Sequence, residues 1–322
     1  MIKKYAINKF VIAKLCLVLF MIFYFFPTTE NIKPEVIKEN KSNYENVVYL
    51  IDNDNYVSRV ICYYDKLSIV EDIKKKIDLI TNYDLDGFYT IIPKGTVLKD
   101  VKVDKDSVYL DFSKDLLNIN AYFEEEMIEG IVFTLTEING INNIYISVEG
   151  EELKYLPNSK KELNYPLTRN IGINKEYNLN NFNNINKTTV YFSKKYDDIS
   201  YYVPVTKVMN SESEKIDIII EELKSSVNSQ NNFKSYISDN LELVNYTHDE
   251  SKMSLVFNNY IFNDFDSKNV LEEVKYIIAS SVFENYNVNE VVFNTESEEN
   301  IADILKKWKN VLKITKLCCI LD

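Results

Sequence analysis

Apolar and polar residues follow several different periods along the chain, and the period predicts the element. From Glu124 to Asn139, apolar side chains recur every three or four residues and acidic residues fall on another face, which is typical of a helix. Short runs of β-branched and aromatic residues predict strands. The first half is therefore predicted to contain strands at Val47–Leu50, Ser58–Tyr63, Thr96–Val103, Ser107–Phe112 and Asn143–Val148, and helices at Ile69–Thr81 and Glu124–Asn139.

The same order of elements occurs again later in the chain. The strand Ile144–Ile146 aligns with Val291–Phe293, 147 positions further on. The first strands align at Thr189–Phe192 and Ser200–Val205, and the first helix aligns at Glu214–Ser225. The pattern predicts one duplication of a unit of about 105 residues, and not a solenoid of many short repeats.

Two glycines of the first copy are replaced by asparagine in the second. Gly140, between a helix and a strand, aligns with Asn287, and Gly95, between two strand-like runs, aligns with Asn240. Glycine and asparagine are the residues that best tolerate a left-handed backbone. We therefore predict a left-handed conformation at these turns in both copies.

Strands mixed with two packed helices in each copy predict an α+β fold, with two tandem small α/β sandwiches that each have a mixed sheet. The linking region is rich in Asn and Lys and contains two prolines, which is typical of a connecting segment. The predicted organisation is a membrane segment at 1–27, a polar stalk at 28–46, a first domain at 47–153, a linker at 154–188, a second domain at 189–298 and a basic C-terminal helix or tail at 299–322.

The amino terminus predicts export. A basic start is followed by the apolar run Phe10–Phe26, which is interrupted only by Lys14. This length is at the short limit for a membrane-spanning helix and long for the core of a signal peptide. An uncleaved anchor and a cleaved signal are both open, and the lack of a small-residue cleavage site favours the anchor. Both alternatives place the body outside the cytoplasm, and Cys16 does not lie in a lipobox.

Net charge and composition argue against several classes of function. The net charge of −12 argues against binding to nucleic acid, which needs Lys and Arg to neutralise phosphates. His248 is the only histidine, so His-based triads and His-rich zinc sites are disfavoured. Gly-rich phosphate loops, nucleophile elbows and Cys-x-x-Cys pairs do not occur. We predict no catalytic residue, no cofactor and no metal.

Two acidic stretches have a chemical and a structural interpretation. Glu124–Glu126 could pair carboxylates for catalysis, but acids at a helix start also stabilise the helix dipole, which we favour. Asp52 and Asp54 hint at calcium. An EF-hand loop needs Gly at its sixth position and Glu at its twelfth, where this chain has Val57 and Tyr63. A turn between two strands is the favoured interpretation.

The polar stretch VFTLTEINGINNIYISVEGE, at 132–151, has the same ambiguity. Its polar groups could line an active site or could face solvent beside a core. The spacing favours a solvent-exposed face beside a core. It places Thr134, Glu137 and Asn143 on the face exposed to solvent, while Ile144 and Ile146 point into the core.

The first copy contains IPKGT at 92–96, TLTE at 134–137 and VEG at 148–150. In this order the three motifs resemble the GerM-type domain of sporulation and spore germination proteins. The family pattern is Ile-Pro-x-Gly-Thr entering a hairpin, then a helix with Thr-Leu-Thr-Glu, then a strand ending in x-x-Gly, and YPLTRNIGIN at 165–174 resembles the segment between tandem copies. The residues that carry the pattern, with their counterparts in the second copy, are Pro93, Gly95, Thr134, Glu137, Gly140, Gly150, Asn240, Glu284 and Asn287.

The resemblance implies a function without catalysis. It implies tandem copies of a fold similar to ring-building domains, behind a membrane attachment. Such proteins act between the two membranes around the forespore, where they help a trans-envelope complex of sporulation proteins to assemble, and a homo-oligomer is compatible with this role. A cell-wall polymer binder, for example of peptidoglycan, is the alternative, and an envelope hydrolase is the least favoured hypothesis.

Overall fold

The computed structural model describes residues 44–83, 85–197, 199–225, 232–234, 236–263, 269–296 and, for the backbone, 304–306. All of them belong to one compact unit, Asn43–Asp322. The membrane segment predicted at 1–27 lies outside the described residues, and so does most of the stalk. No helix within the described ranges has the length and apolar character needed to span a bilayer.

Four α-helices and fourteen strands are present in the described part, and the predicted α+β class is confirmed. The helices are α1 (Ile69–Asn82), α2 (Glu124–Leu135), α3 (Lys215–Ser225) and α4 (Glu272–Asn285). The strands are β1 (Tyr44–Asp52), β2 (Val57–Tyr64), β3 (Phe88–Tyr89), β4 (Leu98–Asp104), β5 (Ser107–Phe112), β6 (Asn143–Val148), β7 (Glu151–Glu152), β8 (Glu176–Asn178), β9 (Ile185–Tyr196), β10 (Ile199–Asn210), β11 (Leu243–His248), β12 (Lys252–Phe257), β13 (Glu290–Thr295) and β14 (Ile304–Lys306).

The largest sheet is shared by the two copies. The hairpins β1–β2 and β9–β10 come from different copies, and β2 meets β10 antiparallel with Arg59 opposite Tyr202. Further along, the same edge of β10 pairs with β8. The two copies are therefore joined through one sheet, because the free edges of β2 and β10 pair with each other.

Each copy also has a smaller mixed sheet of its own. The orders are β4-β5-β6-β7 and β11-β12-β13-β14. In each, the central pair is parallel, with Ser107 opposite Asn143 and Lys252 opposite Glu290. A parallel pair needs a long crossover, and α2 and α4 provide it. These matching registers follow the sequence offsets on which the duplication was inferred.

The C-terminal strand β14 completes the second small sheet. It pairs antiparallel with β13, with Leu305 opposite Val291. In the first copy, Leu167 of the linking segment pairs with Ile144 at the equivalent position. Where a terminal helix or tail is predicted, residues 304–306 therefore form a strand, because the open edge of β13 offers unpaired backbone groups. The rest of the tail lies outside the described residues.

The left-handed turns are present in the first copy and absent at the aligned positions of the second copy. Gly95 and Gly140 have φ of +91° and +88°, as predicted. Asn240 and Asn287 do not adopt positive φ, so this prediction is wrong for the second copy. There, helix α4 continues to Asn285 and the extended residue Tyr286 follows, so the chain enters the next strand without a left-handed residue.

Gly130, in the middle of α2, allows this helix to approach the segment that leads into the Ile-Pro-x-Gly-Thr motif. A Cβ atom at this position would overlap Cδ1 of Ile91, which is buried two residues before Pro93. Glycine inside a helix is unfavourable relative to alanine. The close approach of α2 to the segment at Ile91 is the physical reason for the glycine.

Replacing Gly130 by alanine is expected to lower the free energy of unfolding by about 1 kcal/mol, because overpacking costs roughly 1–3 kcal/mol while the better helix residue returns about 1 kcal/mol. Combining it with Ile91→Val, which removes the overlapping Cδ1, should cost less than the sum of the single changes. Urea unfolding of the four proteins measures this coupling. Strict additivity would contradict the packing described.

Candidate functional site

Six side chains meet at the junction of the two copies, and we call them the junction cluster. Tyr49 and Arg59 come from the hairpin β1–β2, and Tyr191 comes from β9. Glu137 follows α2, and Glu284 lies at the equivalent position in α4. The sixth side chain, Arg169, comes from the segment that links the copies, so all three parts of the body contribute to the cluster.

Arg169 makes the most contacts in the cluster. Its Nε donates to both carboxylate oxygens of Glu284, at 2.9 and 3.0 Å, and its Nη2 donates to Glu284 Oε2 at 2.8 Å. The same Nη2 donates to the hydroxyl groups of Tyr49 and Tyr191, at 3.3 and 3.0 Å. The guanidinium lies 4.2 Å from the centroid of the Phe133 ring. This planar, forked geometry is specific to arginine.

Glu137 is the second glutamate of the cluster and lies close to both arginines. It accepts a hydrogen bond from the Tyr49 hydroxyl at 3.0 Å, and its oxygens lie 3.6 Å from nitrogens of both Arg59 and Arg169. Arg59 and Glu137 are more than nine-tenths buried. Two arginines thus face two glutamates, and the cluster is electrically neutral.

The composition of the chain singles out this cluster. The chain has 37 Lys and Arg residues, and only Arg59 and Arg169 are arginines. Both of them lie in the junction cluster. Arginine is the residue that suits buried, forked ion pairs, whereas lysine is a strongly hydrated point charge. The two arginines were a usable signal in the sequence, and reasoning from motifs alone missed them.

Two hydroxyl side chains join the helices to the edges of the shared sheet. Thr134 Oγ1 accepts a hydrogen bond from the backbone N–H of Tyr49 at 3.0 Å, and Ser281 Oγ accepts one from Tyr191 N–H at 2.9 Å. Thr134 and Ser281 are aligned by the duplication and are fully buried. The prediction that Thr134 and Glu137 face solvent is therefore wrong, because ten of the twelve residues of α2 are buried and the Glu137 side chain just beyond the helix is 7% exposed.

Helix α2 ends at Leu135, four residues before the predicted end. In a continuing helix, the carbonyl of Phe133 would accept the N–H of Glu137. Here that carbonyl accepts from Arg169 Nη1 at 3.4 Å, and Thr136 Oγ1 accepts from the same nitrogen at 3.1 Å. The end of the helix is thus used to bind the linking segment, and Glu137 turns into the cluster.

The linking segment also forms hydrogen bonds with the sheet that the two copies share. The side-chain amide of Asn174 bridges β2 and β10. Its oxygen accepts a hydrogen bond from the backbone N–H of Val57 at 2.8 Å, and its nitrogen donates to the backbone carbonyls of Val57 and Pro204, both at 2.8 Å. The neighbouring Ile173 exchanges hydrogen bonds with Thr206 of β10. The stretch at 165–174 therefore holds β2 and β10 together where their own pairing ends.

The aspartates considered for calcium have a different role. Asp52 is buried and accepts the N–H groups of Asp54 and Tyr56, both at 2.9 Å, which forms the turn from β1 to β2. Its other oxygen accepts from Lys194 at 3.0 Å and from the Tyr201 hydroxyl at 3.0 Å, across the junction. The turn interpretation is confirmed. Within the described ranges, no group of His, Cys, Asp and Glu is arranged to hold a metal.

The acidic start of α2 also has structural partners. Glu124 accepts the backbone N–H groups of Asn158 and Ser159 at 2.7 and 2.9 Å. Glu125 pairs with Lys161 at 2.8 Å. These contacts fix the linking segment against the helix, in agreement with the structural interpretation of this run.

The nine motif residues divide into two groups. Thr134, Glu137 and Glu284 are brought together in or beside the junction cluster, while the other six, Pro93, Gly95, Gly140, Gly150, Asn240 and Asn287, lie in turns or loops outside the helices and strands. Thr96 N–H donates to Pro93 carbonyl at 3.1 Å, and Gly150 N–H donates to Asp111 Oδ1 at 2.8 Å. The second group therefore shapes the chain and does not build a site.

Burial and charge act in opposite directions on ionisation in the cluster. Burial raises the pKa of the Tyr49 and Tyr191 hydroxyl groups far above the usual range. Burial also opposes ionisation of Glu137, but Arg59 and Arg169 outweigh it and hold the pKa of that carboxyl below its usual value. The carboxylate form is therefore the one that stabilises the folded protein.

A pH dependence follows from the lowered pKa of Glu137. Because its pKa is lower in the folded state, this group contributes stability above its unfolded pKa of about 4.3 and loses it as the pH falls through the folded value. We expect the stability of Glu137→Gln to fall less steeply below about pH 4.3 than that of the parent. Urea midpoints measured between pH 3 and 7 test this, and parallel curves would contradict it.

Comparisons with known proteins agree with the motifs. Residues 47–154 match the family model Germane, described as sporulation and spore germination. The spore germination protein GerM of Bacillus subtilis is 28% identical over 223 residues, which cover 67% of this chain and 61% of that relative. The match thus spans less than two thirds of the relative's length.

A solved structure extends the comparison to the fold. The tandem GerMN domains of the sporulation protein GerM from Bacillus subtilis superpose with a TM-score of 0.72 and 25% identity, covering 80% of this chain and 93% of that one. The predicted resemblance is confirmed: residues 47–154 match the Germane family model, and the chain is similar in sequence and in fold to the tandem GerMN domains of that protein.

Proposed function

We propose that this protein is a non-enzymatic assembly factor of spore formation or germination, exported and anchored in a membrane through its N-terminal segment. It acts through protein–protein contacts at the forespore envelope, with partners from a trans-envelope complex. The similarity to a sporulation protein with tandem GerMN domains supports the process. The apolar run at 10–26 supports the anchor.

The junction of the two copies carries the proposal. A scaffold must hold separate surfaces at a fixed relative position. Here a shared sheet, the buried pairs of Arg169 with Glu284 and of Lys194 with Asp52, and the Asn174 bridge fix one copy against the other. Arg169, Glu284, Lys194 and Asp52 are occupied in contacts between the copies or with the linking segment, which suits a scaffold better than an active site.

Binding of a cell-wall polymer is the alternative. Tyrosine rings in a row on the outer face of the first small sheet could in principle stack on sugars. The rings of Tyr109 and Tyr145 stack at 4.6 Å, those of Tyr145 and Tyr165 at 5.7 Å, and Lys102 lies over Tyr109. The facing sides of these rings contact one another, so of the flat ring surfaces in this row only the outer face of Tyr165 has no partner among the described residues, and this favours the assembly role.

Localisation tests the proposed function. In sporulating cells of its own organism, the full chain with a fluorescent tag is expected to concentrate at the forespore septum. Deleting the partner genes should disperse it, whereas a chain with only its N-terminal segment serves as the control for membrane attachment. Uniform distribution of the full chain in sporulating cells would count against the assembly role, and sedimentation with purified sacculi would favour the polymer binder.

A further inference from the structure

One row of side chains crosses the shared sheet from the first copy to the second. Tyr49 of β1 lies opposite Arg59 of β2, and Arg59 lies opposite Tyr202 of β10. Tyr202 in turn lies opposite Ser193 of β9. Residues directly opposite each other in antiparallel strands place their side chains on the same face of the sheet. Tyr202 and Ser193 therefore lie on the face that carries Tyr49 and Arg59 of the junction cluster.

Three side chains of this row have a buried polar atom without a protein partner. Within the described residues, Arg59 Nη1, Tyr202 Oη and Ser193 Oγ form no hydrogen bond. Only Thr96 and Glu126 of the described part have another such atom, and neither belongs to the row. Buried polar groups in proteins are nearly always bonded, either to protein or to ordered water. Three of these atoms in one row indicate a partner that is not part of the chain.

Arg59 defines what that partner must be. A guanidinium group can only donate hydrogen bonds, so Nη1 needs an acceptor. Glu137 lies 3.6 Å from Arg59 Nη2, which is beyond a hydrogen bond, and it accepts from the Tyr49 hydroxyl. The other carboxylate of the cluster, Glu284, accepts three hydrogen bonds from Arg169. Both carboxylates are therefore bonded to other donors, and the partner of Nη1 is an additional acceptor.

Tyr276 of α4 packs against both Arg59 and Tyr202. Its ring centroid lies 4.0 Å from that of Tyr202, and Arg59 Cζ lies 5.7 Å from it. All three residues are more than nine-tenths buried. Burial raises the pKa of the Tyr202 hydroxyl far above its usual range, so this group stays neutral and can donate or accept a hydrogen bond. Arg59 of the first copy and Tyr202 of the second thus lie side by side against one ring, away from solvent.

The charge of the cluster decides between an anion and a neutral acceptor. Arg59 and Arg169 already face Glu137 and Glu284, so the cluster is neutral without a ligand. A chloride or another small anion would add an uncompensated negative charge to a buried site, which is costly. A water molecule is neutral, accepts from a guanidinium and can bond a hydroxyl in either direction. Buried waters typically make about three hydrogen bonds to polar groups that have no other partner.

We propose that Arg59 and Tyr202 bind an internal water molecule between the two copies, in a site that extends along the row toward Ser193. The water accepts from Arg59 Nη1 and shares a hydrogen bond with the Tyr202 hydroxyl. It thereby links a side chain of the first copy to one of the second where β2 lies opposite β10. The site joins the copies whatever partners the protein binds, so it does not depend on the proposed assembly role.

Removing the Tyr202 hydroxyl tests whether it is bonded. In the full chain in detergent micelles, Tyr202→Phe is expected to raise the unfolding equilibrium constant about fivefold, because the hydrogen bond to the water is lost. The matched control is Tyr122→Phe, at a side chain that is 67% exposed, which should change the constant by about twofold at most. An unchanged or lowered constant for Tyr202→Phe would overturn the proposal, because removing an unbonded buried hydroxyl does not destabilise the fold.

A crystal structure of the full chain, grown from detergent in sodium bromide at a resolution that shows ordered water, identifies the bound species. We expect an electron-density peak within about 3.2 Å of both Arg59 Nη1 and Tyr202 Oη, without anomalous scattering from bromine. An anomalous peak at this position would identify an anion and overturn the water site. The absence of any peak, or a protein acceptor bonded to Nη1 in its place, would overturn it as well.

Discussion

Replacing Arg169 by alanine is expected to lower the free energy of unfolding by about 3–5 kcal/mol, the loss typical of removing one partner of a buried ion pair. The change leaves Glu284 and Glu137 buried, with Glu284 losing three donated hydrogen bonds. The Arg169 side chain is 23% exposed, so the lower end of that range is the better expectation. Urea unfolding of the full chain in detergent micelles measures the loss.

Two further variants separate geometry from charge. Arg169→Lys retains the charge but cannot form the fork, and it should recover less than half of the loss. Lys161→Ala is the matched control, because Lys161 is 52% exposed and its ion pair with Glu125 lies at the surface, where such pairs contribute about 0–1 kcal/mol. Equal effects of Arg169→Ala and Lys161→Ala would show that the junction cluster does not stabilise the body.

Replacing Thr134 by valine is expected to cost about 1–3 kcal/mol, the penalty for a buried donor left without an acceptor. Valine has nearly the shape of threonine but cannot accept the Tyr49 N–H. Ser281→Ala should have a similar effect on Tyr191 N–H in the second copy. Thermal or urea unfolding of the single variants provides the comparison.

The control for this pair is the conservative change Thr134→Ser, which retains the hydroxyl and removes one methyl group. It should cost less than Thr134→Val, although it deletes buried apolar volume. If the serine variant were the less stable of the two, packing of the methyl group would be the main contribution, and the cap on the sheet edge would be of minor importance.

The order of elements could be predicted from the sequence because it depends on local periods. The helix at Ile69 and the strand at Asn143 were placed to within one residue of their observed bounds. The duplication also aligned Glu137 with Glu284 correctly. Their meeting at the junction could not be predicted, because the way in which β2 pairs with β10 depends on edges that have no local signature.

The prediction that one face of α2 is exposed to solvent is wrong, and the sequence itself contains the reason. A stretch such as GIVFTL, from Gly130 to Leu135, has one hydroxyl group in an otherwise apolar turn and a half, which indicates burial on all sides. A lone threonine there signals a buried hydrogen bond. The scarcity of arginine was a second signal, and both would have pointed to the junction cluster.

Hydrogen exchange of two backbone amides tests the central claim most directly. The N–H of Tyr49 is bound by Thr134 in the first copy, and that of Tyr191 by Ser281 in the second. If the junction makes the copies one cooperative body, both amides open with the same free energy in the full chain, and Arg169→Ala lowers both equally. Opening of Tyr191 at a lower free energy than Tyr49, with only one of them sensitive to Arg169, would contradict a single body.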